Sequence, residues 1–218
     1  MFSGCHAWWV TNWPAWHNAY DDERSPLSRR LRVVQRQIAE WMDERPQAPL
    51  TAISVCAGQG HDLLGVLATR ADAHRIHATL LEYDETNVSA ARTAIATAGL
   101  RNVTVRPVDA GDLSGYRGTV PADLVLMAGV FGNVSDADVR RTIAALPELC
   151  AADATVIWTR SRREPDLTPR IRRWLEAAAF VEHAFHAPPD VMFSVGVHRF
   201  TGAPQPLAAR GDLFRFLV

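Results

Sequence analysis

The stretch Thr51-Ala52-Ile53-Ser54-Val55-Cys56-Ala57-Gly58-Gln59-Gly60-His61-Asp62-Leu63-Leu64 changes character twice over its length. Thr51 to Cys56 is short, apolar and partly β-branched, the composition of a buried strand. Gly58 and Gly60 break that run. Leu63, Leu64 and Leu67 then recur at helical spacing from a start near His61 or Asp62. A buried strand that passes through a tight turn straight into a helix is the opening of a parallel β–α unit.

The same cycle continues downstream. His77 to Glu82 reads as a second strand, with Asp84 as the cap of a helix carrying Val88, Ala91 and Ile95 and Gly99 as its stop. Val103 to Val108 and Asp123 to Met127 are the third and fourth strands. Ser135 caps a helix through Val139, Ile143 and Leu146, and Ala154 to Thr159 is the fifth strand. Thr168 and Pro169 cap a last helix with Ile171, Trp174 and Leu175, after which Val181 to His186 and Met192 to Phe200 flank Pro188, Pro189 and Asp190 as a hairpin. Upstream, Ser25 and Pro26 begin an amphipathic helix with Leu27, Leu31, Val34, Ile38 and Trp41 that runs until Pro46. The expectation is a doubly wound, mostly parallel sheet with helical crossovers, whose ligand lies at the carboxyl ends of the strands. The loops after strands one to four therefore carry the site.

At 218 residues the chain fits a single domain, 1–218, with an N-terminal helical lid over 1–46 and a core over 51–200. A hydrophobic share of 48 % and a formal net charge of -1 give no reason to expect nucleic acid or an acidic membrane as partner. All 23 basic residues are arginine, a bias that points to a GC-rich bacterial genome. Cys5, Cys56 and Cys150 are odd in number and far apart, which suits a reducing cytoplasm better than a disulfide framework. No apolar run reaches membrane-spanning length.

Ser54 to Asp62 resembles motif I of the class I S-adenosylmethionine-dependent methyltransferases, an acid followed by three alternating glycines. Gly58 and Gly60 match, whereas Ser54 stands at the acid position and Cys56 at the first glycine. Glu82, at the end of the second strand, matches the acid that accepts the ribose hydroxyls of an adenosine, and Asp109-Ala110 resembles the adenine contact after the third. The resemblance covers about 51–200 and implies a Rossmann-like fold with S-adenosylmethionine held by Ala57, Gly58, Gln59 and Gly60. It also implies donor contacts from Glu82, Tyr83, Asp109, Ala110, Gly129 and Phe131. Taken singly, the glycines also suit a plain turn, Glu82 a helix cap and Asp109 a loop amide acceptor.

The implied reaction is methyl transfer to a small molecule, as in specialised metabolism. Such an in-line displacement rests on positioning and desolvation more than on a strong base. Trp8, Trp9, Trp13, Trp16, His17 and Tyr20 crowd ahead of the first helix and suit either an active-site lid or an aromatic staple on the sheet. From this segment His17 and Tyr20 are the catalytic candidates and Trp13 and Trp16 the substrate contacts. Asn133, in the loop Gly129-Val130-Phe131-Gly132-Asn133, is a third catalytic candidate, and Arg160 is a clamp for an anionic substrate. Asp109 and Asp112 are the close carboxylate pair after the third strand, and no metal is expected. Intramolecular alkyl transfer within the sulfonium donor, releasing methylthioadenosine, is the alternative reaction. A nicotinamide-dependent dehydrogenase and a cofactor-binding protein without turnover are the remaining readings.

Overall fold

Side chains along the central strands alternate between two apolar layers, and this alternation sets the architecture. In the strand Ala122–Met127, Leu124 and Leu126 join one core cluster while Val125 and Met127 join the other. The same division separates Ala52 from Ile53 and Ile157 from Trp158. A strand buried on both faces needs helices on both sides, as in a doubly wound sheet. A computed structural model describes residues 22, 24–46 and 49–217. The expected lid residues Trp13, Trp16, His17 and Tyr20 lie outside them.

The elements are α1 (Pro26–Asp43), β1 (Leu50–Val55), α2 (His61–Leu67), β2 (Ile76–Glu82), α3 (Glu85–Thr97), β3 (Val103–Pro107) and β4 (Ala122–Met127). They continue as α4 (Asp136–Leu149), β5 (Cys150–Ser161), α5 (Thr168–Ala177), β6 (Phe180–His186) and β7 (Phe193–Phe200). One seven-stranded sheet has the order β3-β2-β1-β4-β5-β7-β6. β1 to β5 pair in parallel, and β7 runs antiparallel to both β5 and β6. The order reverses at β1, between β2 and β4, so the loops after these strands open a crevice at the carboxyl edge. Among the described residues no helix is long and apolar enough to cross a membrane.

Capping follows the sequence closely. Ser25 Oγ accepts from the Ser28 amide at 3.0 Å, Asp84 Oδ1 from Asn87 at 2.9 Å and Ser135 Oγ from Asp138 at 3.1 Å. α5 departs from expectation, because Thr168 is its first residue and not its cap. Asp166 Oδ1 instead accepts from the Thr168 amide at 2.8 Å, satisfying a donor that the helix leaves unpaired.

A larger departure lies between β3 and β4, where the crossover holds only a 3₁₀ turn, Leu113–Tyr116, in place of a helix. The C-terminal segment, which the sequence pattern leaves unassigned, covers this part of the sheet. Gln205 donates from its amide to the Pro147 carbonyl at 2.9 Å, and Ala208 to Glu148 Oε2 at 2.8 Å. Leu213 and Phe214 are buried in the same cluster as α4 and α5.

Gly196 faces Trp158 across β5 and β7, where a Cβ would stand 2.3 Å from the indole. The glycine makes room for the ring, whose Nε1 donates to His198 Nδ1 at 3.2 Å. With Nδ1 accepting, the proton sits on Nε2, which is buried without a hydrogen-bond partner. Glu182 Oε2 is 3.6 Å away.

Burial holds the His198 imidazole down at about 4 against an ordinary 6.5; Glu182 opposes the shift and Arg172 adds to it. The unfolded chain therefore takes up this proton below pH 6.5, whereas the folded chain does so only near 4. Its contribution is complete above pH 6.5 and is lost as pH falls towards 4, by about 3 kcal/mol in all. Urea unfolding at pH 7 and pH 4.5 should show this loss. His198→Asn, which keeps an acceptor for Trp158, should have a flatter profile.

Candidate functional site

Beyond β1 the chain must turn sharply enough to begin α2 at His61, and it does so by placing alternate residues in the left-handed region. Cys56, Gly58 and Gly60 have φ of 50°, 56° and 79°. This explains the spacing of the glycines, since a side chain is costly at each of these positions. Cys56 occupies the first with a β-carbon. Gly60 is the most constrained of the three, because a Cβ there would stand 2.7 Å from Leu80 Cδ2 and 2.8 Å from Leu64 Cδ1.

The turn is fastened to β2 by Glu82. Its Oε2 accepts from the Gly58 amide at 2.7 Å, and its Oε1 accepts from the Asp84 amide at 2.9 Å. A carboxylate has about four lone-pair directions, and these two bonds use one on each oxygen. Glu82 is 8 % exposed, and its remaining acceptor capacity meets a cavity of about 650 Å³ at the carboxyl edge of the sheet. That volume lies within the range of small-ligand sites, about 300–1,000 Å³.

After β3, Asp109 Oδ1 accepts from the Gly111 amide at 2.7 Å, and the buried Tyr116 hydroxyl donates to the Ala110 carbonyl at 2.7 Å. Burial, with the nearby Cys56 and Asp109, pushes the Tyr116 phenol well up. Burial likewise raises the Cys56 thiol, reinforced by the charges of Glu82 and Asp109. After β4, the Gly129 amide donates to Thr159 Oγ1 at 2.8 Å, and Asn133 Nδ2 donates to the Gly129 carbonyl at 2.6 Å. A Cβ on Gly129 would meet nothing within 4 Å, so the chain lies open to the cavity there.

Most of the expected residues converge. Ala57, Gly58, Gln59, Glu82, Tyr83, Asp109, Ala110, Gly129 and Asn133 all line this cavity. Three others do not. Gly60 is buried in the turn, and Phe131 is fully buried, with its ring centroid 6.1 Å from that of Trp158. Arg160 donates to the Phe131 carbonyl and pairs with Asp136 at 3.4 Å, bracing the loop after β4 from behind. Its guanidinium is engaged within the fold and does not face a ligand in the cavity.

The cavity also has walls that the sequence pattern did not reveal. α1 contributes Arg30, Leu31 and Val34, and the first turn of α2 contributes His61 and Asp62. Burial raises the Asp62 carboxyl; a bond from the Leu63 amide and the charge of Arg30 oppose it. The C-terminal segment adds Asp212, Phe214, Arg215 and Phe216. Asp62 was within reach of sequence reasoning, as an acid two residues beyond Gly60. The C-terminal residues follow no periodic element and gave no such signal.

Six carboxylates line the cavity, from Asp62, Glu82, Asp84, Asp109, Asp112 and Asp212, against the two guanidinium groups of Arg30 and Arg215. The site thus favours a cationic occupant and opposes a polyanion.

The model of a family described as "Putative methyltransferase" matches residues 27–178. No curated protein sequence is detectably similar to the chain. Among solved structures, the magnesium protoporphyrin IX methyltransferase of Synechocystis PCC 6803 with bound S-adenosylmethionine is similar, with a TM-score of 0.66 and 13 % identity. That match covers 88 % of this chain and 92 % of the other. An O-methyltransferase family protein from Burkholderia thailandensis has a TM-score of 0.63 and 16 % identity over 87 % of this chain. The chain spans only 60 % of the length of the Burkholderia protein. At these identities the structural likeness concerns the fold.

The turn after β1 can be tested through two glycines in the left-handed region. Gly99 has φ of 64° with nothing within 4 Å of a Cβ, so Gly99→Ala bears only the conformational cost, about 1 kcal/mol. Gly60→Ala adds the clash with Leu80 and Leu64 and should lose about 2–4 kcal/mol. Thermal unfolding should place Gly60→Ala several degrees below Gly99→Ala, and equal midpoints would contradict the crowding described.

Proposed function

The chain belongs to the methyltransferase family whose model covers residues 27–178 and works with S-adenosylmethionine; we propose that its cavity holds this donor and presents it to a small-molecule acceptor. The observation that carries the proposal is the Glu82 carboxylate, held by the amides of Gly58 and Asp84 at the wall of the cavity with one acceptor direction free on each oxygen. That arrangement suits the paired hydroxyls of a ribose.

The other residues fit the rest of such a ligand. Asp109 and Ala110 lie one loop further along the edge, where an adenine would meet them, and Tyr83 offers an exposed ring beside Glu82. Ala57, Gly58 and Gln59 line the cavity at the turn, where Ala57 and Gly58 add little side-chain bulk. On the α1 side, Arg30 and Asp62 supply opposite charges for an amino-acid group. When bound, S-adenosylmethionine supplies an electrophilic methyl group on a sulfonium. Gly129 and Asn133 border the part of the cavity after β4, where an acceptor would approach.

The protein's contribution is then to align two reactants, keep water out and surround a cation with carboxylates. His17 and Tyr20 remain the proposed groups for moving an acceptor proton, with Trp13 and Trp16 as proposed acceptor contacts. The acidic lining supports a small-molecule acceptor over nucleic acid. We place the enzyme in the cytoplasm of a bacterium, as one catalytic domain, a reading supported by the free thiols of Cys56 and Cys150 and by the arginine-only basic composition.

Purified protein incubated with S-adenosylmethionine and candidate acceptors should form S-adenosylhomocysteine only when an acceptor is present, as followed by mass spectrometry. Methylthioadenosine formed without acceptor would contradict intermolecular methyl transfer. Glu82→Ala should weaken S-adenosylhomocysteine binding by about 10-fold or more, as expected for losing bonds to a charged group. Calorimetry would measure this, and unchanged affinity would remove Glu82 from the site.

A further inference from the structure

The family model ends at residue 178, yet the cavity does not. Beyond β7 the chain returns to the carboxyl edge of the sheet, and its residues 211–217 cross from the loop after β3 to the loop after β4. At one end an isolated bridge pairs Asp112 with Asp212, with Leu113 donating to the Gly211 carbonyl at 2.9 Å and Leu213 to the Gly111 carbonyl at 2.7 Å. At the other end a second bridge pairs Val134 with Phe216, and the Leu217 amide donates to the Asn133 carbonyl at 2.8 Å. Between them α4 holds the segment from outside the cavity. The Leu213 carbonyl accepts from Arg141 Nε and from Thr142 Oγ1, each at 3.1 Å.

These attachments reach two loops that bear on opposite ends of the cavity. Phe214 and Phe216 line the cavity between them, and their ring centroids are 5.8 Å apart in an edge-on arrangement. The approach is close: a Cβ on Gly111 would stand 2.4 Å from the Phe214 carbonyl.

We propose that residues 211–217 form a strap whose Phe214 and Phe216 position the donor against the sheet edge, so that strap attachment and donor binding are one coupled equilibrium. The proposal rests on the donor reading given above. Its physical basis is that Leu213 and Phe214 anchor the strap in the core, whereas residues 215–217 are held by one isolated bridge and single hydrogen bonds outside the sheet, so that end opens more readily than the core. A ligand that contacts only the attached strap shifts that equilibrium towards attachment, and weakening the attachment lowers apparent affinity by the fraction of closed state lost. Phe214 and Phe216 are positioning residues in this account, and the reacting atoms are not assigned to them.

The test uses the full chain with S-adenosylhomocysteine as probe, read by calorimetry and by hydrogen exchange at the Leu213 and Leu217 amides. Saturating probe should slow exchange at both amides at least 10-fold in the wild type. Phe216→Ala should weaken binding about 5-fold or more while the unfolding midpoint of the free protein changes little, because Phe216 is only partly buried. Thr142→Val removes an anchor without altering the cavity wall and should speed exchange at the Leu213 amide of the free protein by about 2- to 10-fold, the range for one hydrogen bond. Affinity unchanged in Phe216→Ala, exchange at the Leu213 amide unchanged in Thr142→Val, or exchange at the two amides that ignores the probe would overturn the strap and leave the donor reading standing. Failure of the wild type to bind the probe would overturn both.

Discussion

A buried carboxylate must be satisfied by donors, and at Glu82 those donors are the backbone amides of Gly58 and Asp84. This clasp fixes the loop after β1 relative to the end of β2 before any ligand is present. The cavity wall, the left-handed turn and the start of α2 all inherit their positions from it. The Ala57 amide reinforces the join by donating to the Leu81 carbonyl at 3.0 Å, and Val108 extends it to β3 by donating to the Glu82 carbonyl at 3.1 Å. Three consecutive strand ends are thereby locked together, which is what a site for an extended ligand requires of its floor.

The opposite side of the cavity is built differently. β3 and β4 are joined without the helix that usually covers a parallel crossover, and the exposed apolar ground is taken up by chain from beyond β7. Leu213 and Phe214 are buried there, and the same segment that closes the hydrophobic layer also brings Phe214 and Phe216 to the cavity. Packing and site formation are thus shared by one segment. The acidic lining follows from a similar economy, since Asp84 and Asp112 cap local turns by accepting from the Asn87 and Ser114 amides while contributing charge to the cavity.

Much of this was legible in the sequence for a physical reason. Strand and helix periods arise from the geometry of the backbone, and Gly58, Gly60, Glu82, Asp109 and Gly129 fall at strand ends that topology alone assigns to one edge. Asp84 and Ser135 act as caps, as their short polar side chains dictate. Arg160 and Phe131 were misleading for the opposite reason. Each lies near a strand end, but side-chain direction there is set by packing, which turned Phe131 towards Trp158 and drew Arg160 to the Phe131 carbonyl and Asp136. Asn133 shows the intermediate case, lining the cavity while its amide nitrogen braces the Gly129 carbonyl.

The sequence by itself determined the alternation of strands and helices, the doubly wound class, and which loops could meet a ligand, because periodicity, glycine tolerance and capping are local properties. Only the tertiary structure decided that α1 and the residues 211–217 wall the cavity. Those contacts join positions tens of residues apart, 26 for Gln35 and His61 and 71 for Thr142 and Leu213, where no local preference reports the partner, and their stability comes from apolar surface that exists only once the sheet has formed.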